Sequence, residues 1–480
     1  MSEATAGGGA EVAVIGAGPA GLAAAVAAAR RGARVTVIDE APAPGGQIWR
    51  AERGQLAAPA RERVAEAERL GVEFLADTLV WGARGDSTLL FSRLSEAGSE
   101  GAIGPARRAA ESWAIRPRAV VLATGAHDRP FPFPGWTLPG VLTAGGLQAL
   151  AKSRAVPPGS RVLLAGAGPF LLPVACSLLE AGAEVLAVAE ATRRRAWLRA
   201  APRLRHAPER LWQLARYEAT LARARVPRLF GHVILRAEGL DRVVRAELAP
   251  VDGQWRPLPA LRRSFEVDFL GIGYGFQPNL ELARLLGCRL SFASGERQFV
   301  VWRDERMRTS VDGVFAAGEI GGIGGAELAE SEGLIAGGSA ADATRHHDTA
   351  PRATRRARRR TRRLAAFAEL LADLFTPGPA ALDRIDEATE VCRCEGVTLA
   401  DVERALAETW MAPTTRGLKS GTRIGMGPCQ GSVCGQLIGR LVAARTGSPP
   451  SEAGLPSARP PAKPIPLGTL AAADQIPDSQ

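Results

Sequence analysis

Short unbroken apolar runs alternate with longer alanine-rich or amphipathic stretches along most of this chain. Val12–Ile15 and Val35–Ile38 are two such runs, and the stretch Gly21–Ala29 lies between them. Runs of Val and Ile without polar alternation predict strands buried on both faces, and the intervening stretch has helical length. Residues 117–125 predict a further buried strand, ending in Ala123-Thr124-Gly125. The strand–turn–helix–strand pattern recurs with Val162–Ala165, a turn opening at Gly166, and Val185–Val188. Val267–Gly275 and Gly313–Gly325 read as a return to the first unit. The pattern predicts an α/β chain with two parallel-sheet units, the second inserted into the first.

Boundaries follow from where the pattern breaks. The first unit is placed at 1–155 and 266–345, the second at 156–265, and an arginine-rich linker helix at 346–385. Thr376-Pro377-Gly378-Pro379 interrupts the amphipathic stretch Leu364–Phe375. A compact segment occupies 386–446, and the proline-rich, aromatic-free stretch 447–480 predicts a disordered tail. Length and 46% hydrophobic content allow about three packed cores in 480 residues.

Charge changes this picture only locally. The net charge is +10, yet eight arginines and no acid fall within 352–363, so the rest of the chain carries +2. Such a stripe is a solvated helix face or a docking surface for a partner subunit. It lacks the interleaved aromatic residues of a nucleic-acid site, so no nucleic-acid partner is expected. No run of 18 apolar residues is present, so no transmembrane segment is expected. The small polar N-terminus and sparse cysteines suit a cytoplasmic protein.

Candidate chemistry begins at Gly16-Ala17-Gly18-Pro19-Ala20-Gly21, a G-x-G-x-x-G turn between a strand and a helix. Gly16 permits the tight turn, Gly18 lets a pyrophosphate approach the helix N-terminus, and Gly21 allows close helix–strand packing. Asp39, with Glu40 as the neighbouring candidate, follows at the distance of a ribose-binding carboxylate. Gly46 and Gln47 are placed to cover the bound cofactor. Val314–Glu319 resembles the strand ending in Gly-Asp that holds the FAD ribitol chain in two-dinucleotide-domain flavoproteins. Here Gly318 is followed by Glu319, one methylene longer. Ala123, Thr124 and Gly125 resemble the A-T-G element of the same families. The four elements in this order imply FAD on a Rossmann-like first domain.

The second turn, Gly166-Ala167-Gly168-Pro169-Phe170-Leu171, has Leu171 in place of the third glycine, which predicts looser helix–strand packing. Gly166, Gly168 and Glu190 form a second nucleotide site for NAD(P)H, for an adenine nucleotide without redox role, or for nothing. Cys176 and Cys288 stand alone, so no dithiol mechanism is expected. Cys392-Arg393-Cys394 and Cys429–Cys434 give C-x-C and C-x4-C, 34 residues apart. Four thiolates suit zinc or iron–sulfur, and attachment to a flavin domain favours a [2Fe–2S] cluster. Thr398, with Asp401 three residues on, predicts a capped helix between the pairs, and Cys434 is placed at the start of the next.

Val120–Gly146, Gly166–Pro173, Gly271–Asn279 and Gly427–Gly435 together resemble the larger, alpha subunit of opine oxidases, hydrogen cyanide synthase and D-hydroxyproline dehydrogenases. The cysteine segment is similar to the bacterioferritin-associated-ferredoxin-like (BFD-like) [2Fe–2S] domain. The resemblance covers about residues 10–446. It implies a two-dinucleotide-binding-domain α/β flavoprotein with a small α-helical [2Fe–2S] domain. It also implies a partner: an FAD-containing glycine-oxidase-like beta subunit that oxidises a C–N bond and passes electrons to this chain. A small ferredoxin-like subunit is a further candidate partner. Two other readings stand beside it, a self-contained NAD(P)H-dependent reductase and a non-enzymatic subunit with structural nucleotide and zinc sites. His127 is a candidate proton shuttle, although a loop histidine there is more often structural. Tyr274 is expected to pack, and His346-His347 to be exposed.

Overall fold

The computed structural model describes residues 9–49, 56–85, 87–96, 107–153, 155–204, 208–345, 352–408 and 412–473. Val12–Ile15 takes the centre of a five-stranded parallel sheet. Its order is Val314–Ala316, Ala119–Leu122, Val12–Ile15, Val35–Ile38, Glu73–Leu75. The central strand is apolar throughout because both faces are covered. Val12 and Val14 pack against the helix Pro19–Ala29, and Ala13 and Ile15 face Val80, Leu89 and Phe91 of an antiparallel sheet. The alanine-rich helix lies close against Ala326–Thr344. A Cβ on Gly333 would stand 2.1 Å from the Ala20 carbonyl, and one on Gly337 2.0 Å from that of Ala24.

The second parallel sheet has the order Arg228–Phe230, Glu184–Glu190, Arg161–Gly166, Phe269–Gly273, Val141–Thr143. The expected boundaries at 155 and 266 therefore need correction. Val141–Thr143, expected in the first unit, pairs with Phe269–Gly273, which itself pairs with Arg161–Gly166. The helix Ala144–Lys152 follows that edge strand into the second core through Leu147. Pairing between strands distant in sequence decides this, and local periodicity carries no record of it.

The arginine-rich segment is one helix, Arg352–Phe375. Ala357 and Thr361 lie against Ser331 of the Ala326 helix, and Glu330 pairs with both Arg63 and Arg360. The far end of this helix enters the second unit. The cysteine segment is a short hairpin, Glu390–Cys392 with Val397–Thr398, followed by the helices Leu399–Ala407, Thr415–Thr422 and Gly435–Thr446. Thr398 and Asp401 make the expected reciprocal cap.

The stretch 447–480 was expected to be disordered, and its described part, through residue 473, is instead packed. Ala453 is buried, Ala462 N–H donates to the Trp81 carbonyl at 2.6 Å, Lys463 pairs with Glu40, and Leu467–Ala473 is helical. Small apolar residues and prolines sufficed because the surface receiving them already existed. His346 and His347 lie outside the described residues.

Candidate functional site

Gly16 sits at φ +102°, where a Cβ would come 2.4 Å from the Ala123 carbonyl. A Cβ on Gly21 would be 1.7 Å from the Gly16 carbonyl, so this helix closes on its strand only with glycine there. Gly18 is the N-cap of Pro19–Ala29, and no side chain caps that helix. Its leading N–H groups are left for an anion. An added Cβ on Gly18 would meet only the Gly46 Cα, at an ordinary contact distance of 3.9 Å, so no side chain lies over this turn. Asp39 braces the turn by accepting Ala17 N–H at 2.5 Å and Ala41 N–H at 2.7 Å. Burial pushes its carboxyl above the ordinary range despite those donors. Glu40 and Gln47 are exposed, and Glu40 is held by Lys463.

Across the sheet, Thr124 follows the strand Ala119–Leu122, and no atom lies within 4 Å of a Cβ added to Gly125. Glu319 lies in the short turn Gly318–Gly321. Burial, with the neighbouring carboxylates Glu296 and Glu332, holds it up at about 7, although Gly325 N–H donates to it. Sequence reasoning missed Glu332, which accepts Gly318 N–H at 2.9 Å and pairs with Arg303 at 2.6 Å. An acid within the alanine- and glycine-rich helix Ala326–Thr344 was the available signal.

The second turn repeats the brace. Glu190 accepts Gly168 N–H at 3.0 Å and Thr192 N–H at 2.9 Å. It is only 1% exposed, and burial raises it to about 7. Leu171 fills the core where the first unit has glycine. Room for it comes from the neighbouring strand, since a Cβ on Gly273 would sit 3.0 Å from Leu171 Cδ2. The ring of Phe375, from the end of the arginine-rich helix, lies over Gly168, 3.7 Å from where its Cβ would stand. Trp197 meets that ring edge to face, centroids 5.1 Å apart, and Thr192 donates to the Leu374 carbonyl. The edge that a pyrophosphate would approach is covered by the protein's own chain.

The four C-terminal cysteines line one pocket, walled by Pro130, Pro132, Trp136 and Leu437. Cys392 and Cys434 are 3.9 Å apart at sulfur. The neighbouring Cys434 thiol, whose single proton the two share, holds Cys392 down to about 6 and Cys429 to about 5, and backbone N–H groups of Gly425, Gly431 and Val433 add to this. Cys434, shared between the two, is pushed up, and burial raises Cys394. Among the described residues no three His, Cys, Asp or Glu side chains converge as the ligands of one ion do. Cys434 is the N-cap of the helix Gly435–Thr446, as expected. Cys176 and Cys288 are buried elsewhere.

A hydrogen-bonded path joins this pocket to the A-T-G turn. Thr124 Oγ1 donates to the Asn279 carbonyl and Asn279 Nδ2 to the Thr124 carbonyl. His127 Nδ1 lies 2.7 Å from Asn279 Oδ1, and His127 Nε2 lies 2.8 Å from Gln277 Nε2. Gln277 Nε2 also donates to the carbonyls of Ser432 and Val433. The amide partners set the tautomer: Nδ1 donates and Nε2 accepts. Both ring nitrogens are engaged, so His127 stands as a structural bridge. Tyr274 is buried against Phe131, as expected.

Both groups expected from the sequence fit these residues. The open glycine turn with its uncapped helix suits a dinucleotide pyrophosphate, and the four thiols with backbone donors suit an iron–sulfur cluster. Among the described residues no helix is long and apolar enough to cross a membrane. The family model for pyridine nucleotide-disulphide oxidoreductases matches residues 10–333, and that for the BFD-like [2Fe-2S] binding domain matches residues 390–444. An opine oxidase polypeptide of Rhizobium meliloti, the A component of that enzyme, is 35% identical over 95% of this chain and 97% of its own length. The HcnB polypeptide of hydrogen cyanide synthase from Pseudomonas aeruginosa is 33% identical over 88% of this chain and 90% of its own. The crystal structure of L-proline dehydrogenase from P. horikoshii shares the fold, with a TM-score of 0.65 and 21% identity over 96% of this chain and 79% of that one. The chain thus belongs to the pyridine nucleotide-disulphide oxidoreductase family together with these opine oxidase and HcnB polypeptides, as an FAD-dependent oxidoreductase carrying a BFD-like [2Fe–2S] domain.

Proposed function

We propose that this chain is the electron-transferring subunit of a heteromeric amino-acid or opine dehydrogenase. A separate FAD-containing glycine-oxidase-like subunit oxidises the C–N bond, and this chain takes up the electrons. Gly16, Gly18, Gly21, Asp39, Gly46, Gln47, Ala123, Thr124, Gly125, Gly318 and Glu319 hold FAD, and Cys392, Cys394, Cys429 and Cys434 hold the cluster. A flavin exchanges one or two electrons and a [2Fe–2S] centre one, so the pair converts two-electron chemistry into single steps. The path Thr124–Asn279–His127–Gln277–Ser432 carries this reading, because it fixes the flavin-side turn to the cysteine loop. Phe375 over Gly168 speaks against the alternative of a self-contained NAD(P)H reductase.

The test is flash photoreduction of the cofactor-loaded chain, following flavin and cluster absorbance separately. Replacing Gln277 with Leu is expected to lengthen the lag between the two bleaching phases while both contents stay at one per chain. An unchanged lag would remove Gln277 from the route.

A further inference from the structure

We propose that Arg129, Arg297, Arg384 and Arg440 form a binding site for the phosphate group of a small molecule, at the junction of the two parallel-sheet units, the linker and the cysteine domain. Each arginine comes from a different element. Arg129 follows the strand Ala126–Asp128, and Arg297 lies in the turn before Gln298–Val301. Arg384 ends the short turn Pro379–Arg384, and Arg440 lies on the helix Gly435–Thr446. Arg384 and Arg440 meet at one ring, with their guanidinium carbons 4.0 and 5.6 Å from the Phe131 centroid.

These cations lack the partners that burial requires. Arg384 is 8% exposed, donates once, to the Tyr274 hydroxyl at 2.8 Å, and leaves Nε and Nη2 without an acceptor. Arg440 has no hydrogen-bond or ion-pair partner among the described residues and is half-buried, which leaves its fork a way out of the interior. Arg129 is 7% exposed and donates only to the neutral Phe276 carbonyl and Gln298 amide, and Arg297 to the Pro377 carbonyl. Glu296 is the carboxylate that acts on this group, through Arg129, and its oxygens are already used by Gln298 and Ile323 N–H. Burial and mutual repulsion bring Arg440 down to about 9, and burial brings Arg129 to about 10.

A buried N–H without an acceptor is destabilising, and more so on a charged group. The cluster does not supply that acceptor, since none of these four arginines lines the cysteine pocket. Four guanidiniums against one carboxylate leave a surplus of positive charge that a monocarboxylate would not balance. Planar forks approaching from several sides match the oxygens of a phosphate dianion. The depth of Arg129 and Arg384 favours a small molecule over a partner's side chain. Arg129 is two residues beyond His127, so a bound phosphate would also stiffen the path between the two redox sites.

The experiment uses the full chain loaded with both cofactors, in a low-salt buffer free of oxyanions. Calorimetric titrations are run with inorganic phosphate, pyrophosphate and ADP. We expect saturable one-site binding of at least one probe. It should weaken about tenfold or more in Arg440→Gln and in Arg384→Gln, the loss of one charged hydrogen-bond set. Flavin and iron contents should not change, and Arg360→Gln, at the stripe, should bind as the parent does. Phosphate competing with ADP identifies the phosphate itself as the ligand group. Binding of ADP alone identifies a nucleotide as its source. Should Arg384→Gln fail to fold, Arg440→Gln decides. No saturable heat from any probe at millimolar concentration would overturn the proposal, as would binding unaltered by Arg440→Gln.

Discussion

At the first glycine turn Asp39 accepts Ala17 N–H, and at the second Glu190 accepts Gly168 N–H. An acid braces the turn in both units, and what lies over the turn differs. Over the first turn, an added Cβ on Gly18 would meet only the Gly46 backbone, at 3.9 Å. Above Gly168 the second is closed by Phe375, which the long helix delivers from the surface of the first unit. A G-x-G turn with a following acid therefore keeps the acid-to-N–H brace but not one backbone shape, since φ is −74° at Gly18 and +109° at Gly168, and its occupant is decided by chain that packs over it. The second unit has the brace, with an aromatic ring over the turn.

The sharpest way to break this comparison is a side chain on the open turn. Gly18 has φ −74° and its Cβ would meet Gly46 only at ordinary contact distance, so Gly18→Val should fold while obstructing the pyrophosphate. Bound flavin should fall to about a tenth or less, as an affinity loss of a few kcal/mol gives. Gel filtration with absorbance at the flavin and cluster bands measures this, and cluster content should persist. At the closed turn, Phe375→Ala removes a buried ring. It should cost about 3 kcal/mol in urea unfolding with no loss of flavin. Flavin loss there would mean that the two turns are not independent.

The acids give a pH test. Glu190 is held at about 7 against an ordinary 4.5. Between those values the folded chain keeps a proton that the unfolded chain has released. Stability is therefore full below about pH 4.5 and falls as pH rises to about 7, by up to about 3 kcal/mol. Glu319 adds a slope of the same sign. Glu190→Gln should flatten the dependence in this window, read from urea midpoints at pH 5 and 8. The smallest effect is expected from Gly168→Ala. Its Cβ meets Phe375 at ordinary contact distance, but φ +109° is strained for alanine, so about 1–2 kcal/mol is lost with both cofactors retained.

Much of this was legible along the chain because it is local. The run at Val12–Ile15, the turn at Gly16–Gly21, the Thr398–Asp401 cap and the cysteine spacing each lie within one or two elements. The unit boundaries were not, because Val141–Thr143 and Phe269–Gly273 are set by pairing with each other. Phe375 read as part of an amphipathic helix face, and nothing in that periodicity names the glycine it covers. Gln277 and Glu332 were missed because their roles depend on Ser432 and Gly318, 155 and 14 residues away. The described part of the tail folds back because Trp81, Glu40 and Arg284 receive it, and its composition alone predicted disorder.

The most direct test of the central claim, that this chain takes electrons from a partner and not from a nicotinamide, is an anaerobic spectrum of the cofactor-loaded chain. NADH and NADPH are added in turn, and dithionite last. Flavin and iron–sulfur absorbance should stay oxidised with both nucleotides and bleach with dithionite. Rapid bleaching of the flavin band by either nucleotide would contradict the closed second turn and make this chain a reductase in its own right.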